Sequence, residues 1–460
     1  MMRRSYLGLS LAALATGCNL APTYVRPLAP VPQQFSQGAA YAASTGQPGG
    51  LPWRTLFTDD RLRTVIEQAL ANNRDLRAAV ANIASARATY HVARSAQLPT
   101  IAAGADASID RGIGNSRAKA DSYSANVGAS SFEIDLFGRL KNLTKADFEQ
   151  YLATEAGTRE TRITIVGETA TAYVTLASDR DLLRVSQQTL ASGNRSLELT
   201  TSLYRSGLAS QVDVQEAETI VAQAQSDIEN YTTIVAQDRN SLDLLVGAPV
   251  IDALLPESLA DLQGGIGVVP AGLSSTILLQ RPDVLQAEHQ LIAANANIGA
   301  ARAAFFPTIT LTSAIGLAST ALSNLFTGGA LNWSVAPSAT VPIFGGATKG
   351  NLEYAKAQRD YYVAEYEKAV QSAFRDVADA LARRGTIDRQ VAAQADLVAA
   401  SAKSYQLSDA QYRAGTDTFL DALTAQRTLY AAQQTQVATT LADLSNRVTL
   451  YQVNASDDAR

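Results

Sequence analysis

The sequence predicts an α+β membrane protein in which amphipathic β-hairpins, pieces of a shared transmembrane barrel, continue into a long α-helical coiled-coil tunnel. The plan is written twice, as an internal two-fold repeat. Three observations predict it. Residues 93–101 read ARSAQLPTI and residues 301–309 read ARAAFFPTI, which sets Pro99 and Pro307 208 residues apart. The same offset relates Tyr204-Arg205-Ser206-Gly207 to Tyr412-Arg413-Ala414-Gly415, and Asp75 to Asp283. In each copy, apolar residues at helical spacing give way at the proline to strict alternation. Finally, two proline-free helical stretches of roughly 65 residues would each reach ~100 Å at 1.5 Å per residue. Solenoid repeats have periods of roughly 20–50 residues, so this repeat is a duplicated half and not a stacked array.

Composition narrows the function classes. With 47% apolar residues the chain is not disordered, and a mean hydropathy near zero excludes a bundle of membrane helices. The net charge of −5 gives no basic footprint for nucleic acid. Cys18 is the sole cysteine, so there is no disulfide framework, and the two histidines, His91 and His289, do not correspond under the repeat. No phosphate loop, GxSxG or HExxH motif occurs. We therefore expect no enzyme, no cofactor and no metal.

The N-terminus reads as an address. Basic residues precede an apolar run at 7–15, too short for the roughly 20 residues a spanning helix needs. Residues 1–17 fit a signal peptide. Leu14-Ala15-Thr16-Gly17-Cys18 resembles a bacterial lipobox, which makes Cys18 the lipidation site, with a covalent lipid as its only adduct. Asn19 after it is compatible with sorting to the outer membrane. Residues 18–59, rich in proline, read as an extended tether without a core of its own.

In the first half, 60–98 reads as one helix that Pro99 ends, because proline disfavours helical backbone in the residue before it. Residues 99–137 form a hairpin: Ile101, Ala103, Ala105, Ala107 and Ile109 on one face, a loop over 111–122, then Tyr123, Ala125, Val127 and Ala129. Parity slips at Ser130-Ser131, after which Phe132 and Ile134 carry the apolar side, as a β-bulge would produce. Each strand has the length of a tilted membrane strand. Residues 138–250 are a long helical hairpin with a possible irregularity at Ser192-Gly193-Asn194, and 251–274 connect the halves. The second half repeats the plan: a helix over 275–306, a hairpin over 307–344 with its loop at 318–330, a helical hairpin over 345–453 and a tail over 454–460.

Four strands cannot close a barrel, and an open sheet in lipid leaves unpaired backbone groups that cost several kcal/mol each. Closed bacterial barrels start at about eight strands, so several chains must contribute; periodicity does not choose among two, three or four. The polar faces, with Thr100, Asp106, Thr308, Thr310 and Thr312, would line a watery lumen.

The stretch from Gly17-Cys18 through Ala21-Pro22-Thr23-Tyr24 to Arg26-Pro27, with Arg281-Pro282-Asp283-Val284, the ARAAFFPTI junction, Asp135-Leu136-Phe137-Gly138-Arg139 and Tyr412-Arg413-Ala414-Gly415, resembles the TolC-like outer membrane efflux family. Within it the chain is similar to the OprM/NodT-type lipoprotein branch, over essentially the whole mature length. The resemblance implies a homotrimer with a twelve-stranded barrel, anchored in the bacterial outer membrane and extending into the periplasm. It implies two partners, a periplasmic adaptor (membrane fusion protein) and an inner-membrane resistance-nodulation-division pump. The chain would be the passive exit duct for small toxic compounds or drugs. The same architecture serves type I protein secretion, and a periplasmic coiled-coil lipoprotein scaffold without a pore is the alternative of a different class.

The turns of the two helical hairpins carry the candidate site. Ser210 to Asp213 and Thr418 to Asp421 each fit a capping box, which by itself accounts for both aspartates. By family position, Asp213 and Asp421, with Leu420, fall at the periplasmic gate, where symmetry would make acidic rings. Thr424 stands where relatives often carry another acid. Tyr204, Arg205, Gly207, Tyr412, Arg413 and Gly415 form the tips and the implied adaptor contact; the tyrosines and arginines either bond across helices or cap the last carbonyls.

Overall fold

The computed structural model describes residues 19–36, 38–41, 52–111, 119–268 and 275–454. The expected signal peptide, Cys18 and residues 455–460 of the expected tail lie outside them. The elements are α1 (Trp53–Leu56), α2 (Asp60–Asn72), α3 (Arg74–Ser95), β1 (Ile101–Arg111), β2 (Lys119–Ile134), α4 (Arg139–Arg205), α5 (Gln211–Val246), α6 (Leu259–Leu262), α7 (Pro282–Ala303), β3 (Thr308–Ser319), β4 (Leu331–Thr340), α8 (Gly346–Arg413) and α9 (Phe419–Asn454). Helices α4 and α8 run 67 and 68 residues, several times an ordinary globular helix. Among the described residues no helix is long and apolar enough to cross a membrane. The chain divides into two compact units. One holds Met1–Ala29, Ala81–Ala156 and Leu285–Lys368; the other holds Pro30–Val80, Gly157–Val284 and Ala369–Arg460.

The first unit is built on the sheet. Both hairpins join in one antiparallel sheet of order β1-β2-β3-β4, because β2 pairs with β3. The register aligns the apolar parity across all four strands: Ala103 opposite Val127, Val127 opposite Ile315, Ile315 opposite Trp333. The predicted slip is present. Pairing jumps between Ala129 and Phe132, Ser131 takes φ 51°, and its N–H donates to Thr312 Oγ1 at 3.1 Å. That extra residue returns Phe132 and Ile134 to the apolar face opposite Leu311 and Ile309. Much of this face is bare: Trp333 is 75% exposed, Leu331 69% and Ile101 63%. Pro337 sits in β4, an edge strand of this sheet, where a missing N–H is tolerated.

The tether departs from expectation. It is extended, yet its first part is docked in the first unit. Arg26 holds the buried Glu288 carboxylate through two bonds of 2.6 Å, and Tyr24 donates to the same group. Asn295 donates to the Pro22 carbonyl, Arg302 to the Leu20 carbonyl, and Asn142 to Asn19 Oδ1. A buried carboxylate requires such partners, so this segment is fixed by the helix it crosses. Further along, in the second unit, Phe35 stacks on Phe374 at 4.7 Å, and Trp53 and Leu56 of α1 are buried.

Other boundaries also move. The expected single helix over 60–98 breaks at Asn73, whose side chain accepts from Leu76 N and donates to the Leu245 carbonyl. The expected helix start near 275 is a 3-10 turn, and α7 begins at Pro282, where proline suits a first helical position. The loop expected over 111–122 is shorter, since 119–122 pair with β1. The fourth strand ends at Thr340, short of the expected Val341 and Ile343, just before Pro342. No irregularity occurs at Gly193; its missing Cβ admits Ile220 and Val221 of α5, whose methyls would lie 3.2 and 3.4 Å from one.

In the second unit, connector and helices are pinned by charge. Arg281 is buried, holds Asp283 through two bonds and donates to the Val453 carbonyl. Arg384 and Arg447 both hold Asp443, and Arg447 also donates to the Gln263 and Ile266 carbonyls. On α4, Tyr173 donates to the Leu254 carbonyl and Arg180 to that of Pro256.

Candidate functional site: the two helical tips

Both tips lie in the second unit and are built by the same backbone device. At the first, Gly207 takes φ 75°, its N–H donates to the Tyr204 carbonyl, and Leu208 N–H donates to that of Leu203. At the second, Gly415 takes φ 72°, with Gly415 donating to Tyr412 and Thr416 to Gln411. These paired bonds close a helix end through a left-handed residue, a conformation that side chains with a Cβ disfavour.

The next helix starts differently at each tip. Ser210 and Asp213 form a complete capping box: Asp213 N–H donates to Ser210 Oγ, and Asp213 Oδ2 accepts from Ser210 N–H at 2.7 Å. At the second tip Asp421 N–H donates to Thr418 Oγ1, but the Thr418 hydroxyl itself donates to the Asp421 carboxylate. The Thr418 N–H is taken by Asp417 instead, at 2.8 Å.

The side chains differ more. Tyr204 is 44% exposed, and among the described residues neither it nor Arg205 bonds to another helix. Tyr412, its counterpart, packs on Phe419 at 5.2 Å and shares a hydrogen bond with Thr200 of α4. Burial, with the Asp213 charge adding to it, raises the Tyr412 phenol, so it stays protonated and able to donate. Phe419 and Leu423 of α9 are buried with Ala217 and Ile220 of α5 in one cluster. Arg413, a candidate for a bond across helices, pairs with Asp409 on its own helix at 2.9 Å. Leu420, beside Asp421, is 56% exposed.

Further along α9, sequence reasoning missed four ties. Gln426 donates to Ser192 of α4 and Arg427 to Thr219 of α5. Tyr430 donates to Asp227 of α5 at 2.7 Å and bonds with Ser186 of α4 at 2.9 Å. Thr189, Thr219, Gln223, Arg427 and Tyr430 border a cavity of about 300 Å³ between these helices. The partners of Gln426, Arg427 and Tyr430 lie more than 200 residues away, so no local spacing marks them.

The junctions lie in the first unit. Helix α3 ends at Ser95 and β1 begins at Ile101, with Pro99 between them; α7 ends at Ala303 and Pro307 directly precedes β3. Phe306 stacks on Phe137 at 4.6 Å, and Gln97 and the Ala93 carbonyl both bond Thr144 of α4.

The model of the family described as "Outer membrane efflux protein" matches residues 65–248 and again 273–455. The chain belongs to the outer membrane efflux protein family. It is 41% identical over 460 residues to the probable efflux pump outer membrane protein TtgC of Pseudomonas putida, covering 98% of this chain and 95% of the relative. It is 38% identical over 449 residues to the cation efflux system protein CusC of Escherichia coli, covering 96% of each. The crystal structure of the open state of the Neisseria gonorrhoeae MtrE outer membrane channel superposes with a TM-score of 0.86 at 34% identity, covering 95% of this chain and 98% of that one. The resemblance read from the sequence motifs is thus borne out. As an outer membrane efflux protein, the chain is not an enzyme.

Proposed function

We propose that this outer membrane efflux protein is one subunit of a homotrimeric exit duct in a tripartite efflux system. The two halves are copies of one wall unit, and three chains supply a barrel of twelve strands. An inner-membrane resistance-nodulation-division pump delivers small toxic compounds through a periplasmic adaptor, and the duct conducts them passively. Family relatives named for efflux pumps and for cation efflux support the role. The observation that carries the assembly is the sheet itself. Its apolar parity is continuous over four strands and exposed, while β1 and β4 remain open edges. An apolar face with open edges is stable in lipid only when other strands complete the ring.

In this reading Cys18 carries the lipid that anchors the N-terminus, each acyl methylene adding about 0.8 kcal/mol of membrane binding. Asp213 and Asp421, with Leu420, ring the periplasmic aperture, and the tip residues Tyr204, Arg205, Gly207, Tyr412, Arg413 and Gly415 face the adaptor. Opening swings the tips apart, and pump and adaptor bias that two-state element.

Light scattering of the full-length protein in detergent should give three chains per particle, and planar bilayers should show discrete cation-preferring channels. A monomer that conducts nothing contradicts the proposal. Cys18→Ser should abolish metabolic lipid labelling; labelling that persists excludes Cys18 as the acceptor.

A further inference from the structure

Helices α3 and α4 pack antiparallel in the first unit. Thr144 of α4 accepts from Gln97 and donates to the Ala93 carbonyl, while Tyr90, a turn back along α3, meets Phe148, a turn forward along α4. Beside that contact each helix carries a row of residues at i, i+4 and i+7: Arg87, His91 and Arg94 on α3, Lys141, Lys145 and Phe148 on α4. The Tyr90 ring joins the rows, 5.4 Å from His91 and 5.2 Å from Phe148. The rows therefore form one patch, four cations with aromatic rings between them.

All four cations are exposed, and among the described residues none forms an ion pair. The carboxylates of this region are taken. His289 bonds Glu149, Arg139 holds Glu133, and Asp135 accepts the Arg139 and Lys141 N–H groups. Like charges four residues apart on a helix repel, so the patch calls for counter-charge from outside the chain.

Two observations say what supplies it. The patch lies at the strand end of both helices: Arg94 is in the last turn of α3, and Lys141 and Lys145 are within about 9 Å of the start of α4 at 1.5 Å per residue. Arg87, about 12 Å from the end of α3, is its far edge. A lipid headgroup layer is roughly 5–8 Å deep, and helical side chains lean towards the N-terminus, which carries both lysines towards the strands. Leu98 and Val92 are bare at this level, 68% and 70% exposed, and tyrosines and long basic chains are the residues that settle at such an interface. The tether also arrives here: Asn142, next to Lys141, donates to Asn19, the residue after the expected lipid-bearing Cys18.

Resting on the reading that the sheet spans the outer membrane, we propose that this patch binds the phosphodiester groups of anionic phospholipids in the periplasmic leaflet. Arg94 offers a phosphate paired N–H donors, the lysines offer point charges, and Tyr90 and Phe148 lie against the glycerol backbone and first methylenes. Each Lys or Arg near an anionic lipid surface strengthens attraction about fivefold. Bound lipid then holds the seam between helices and strands at a fixed depth.

The test equilibrates the full-length protein, in neutral detergent, with equal amounts of phosphatidylglycerol and phosphatidylcholine, and native mass spectrometry counts the lipids retained. The wild-type protein should prefer phosphatidylglycerol. Lys141→Gln with Lys145→Gln should cut that preference by about tenfold or more, and Lys141→Arg with Lys145→Arg should keep it. Arg195→Gln with Lys403→Gln, the same change of charge at exposed sites of the second unit, should leave it unchanged. Hydrogen exchange over 84–98 and 139–152 should slow with phosphatidylglycerol but not with inorganic phosphate. Equal retention of both lipids, a preference that survives the Lys→Gln pair or falls equally in the distant pair, or equal slowing by inorganic phosphate overturns the proposal. Neither readout depends on conduction: a conducting protein without lipid preference sinks this proposal alone, whereas a chain soluble without detergent sinks the membrane reading.

Discussion

The two helical tips share a backbone and differ in what holds them. Each ends its long helix through a left-handed glycine with the same pair of bonds. The first tip is then secured by its own capping box, with Tyr204 exposed. The second is secured by other helices, through Phe419 in an apolar cluster, Tyr412 bonded to Thr200, and Gln426 and Arg427 following on α9. One tip is locally stable. The other is stable only while α4, α5 and α9 stay together, which makes it the better-placed moving part. The two turns share one backbone, and packing makes the second of them conditional.

The largest expected break in this comparison is Phe419→Ala. Truncating a buried aromatic costs about 3–5 kcal/mol, so hydrogen exchange around 415–425 should rise sharply while 205–215 stays unchanged. Gln211→Ala, at the corresponding position, should do almost nothing. Next is Ser210→Ala, which removes the Ser210 Oγ half of the capping box, worth about 1 kcal/mol, and should loosen the start of α5. Thr418→Ala should cost less, since Asp417 still takes the local N–H. Tyr412→Phe removes one hydrogen bond, about 1 kcal/mol, and should raise the frequency of channel opening in bilayers; Tyr204→Phe should leave it unchanged. The smallest effect belongs to Arg413→Ala: the side chain is half-exposed and its partner lies on its own helix, so the pair is worth about 0.5 kcal/mol or less by thermal denaturation.

How legible each feature was depends on how local its cause is. Strands β1 and β3, the long helices and the bulge were readable, because period, proline and a parity slip are written in neighbouring residues. The helix break at Asn73 was missed because neither glycine nor proline marks it. It is decided by a cap and by the Leu245 carbonyl, distant in sequence. The start of β2 was missed because Lys119 and Asp121 spoil the alternation, and pairing with β1 overrides that. At the tips the capping residues were readable from four-residue spacing. The ties that distinguish them, Tyr412 to Thr200 and Tyr430 to Asp227 and Ser186, join residues more than 200 apart and leave no local pattern. The docked tether belongs to the same class: Tyr24 and Arg26 look like linker residues until Glu288 is seen beneath them.

In the proposed function the second tip is the gate of a conducting assembly. Single-channel recording of Asp421→Ala beside the wild-type protein, in planar bilayers under a salt gradient, tests it most directly. A changed conductance with weaker cation selectivity is the result predicted, with a smaller change for Asp213→Ala. Conductance and selectivity indistinguishable from wild type would contradict it.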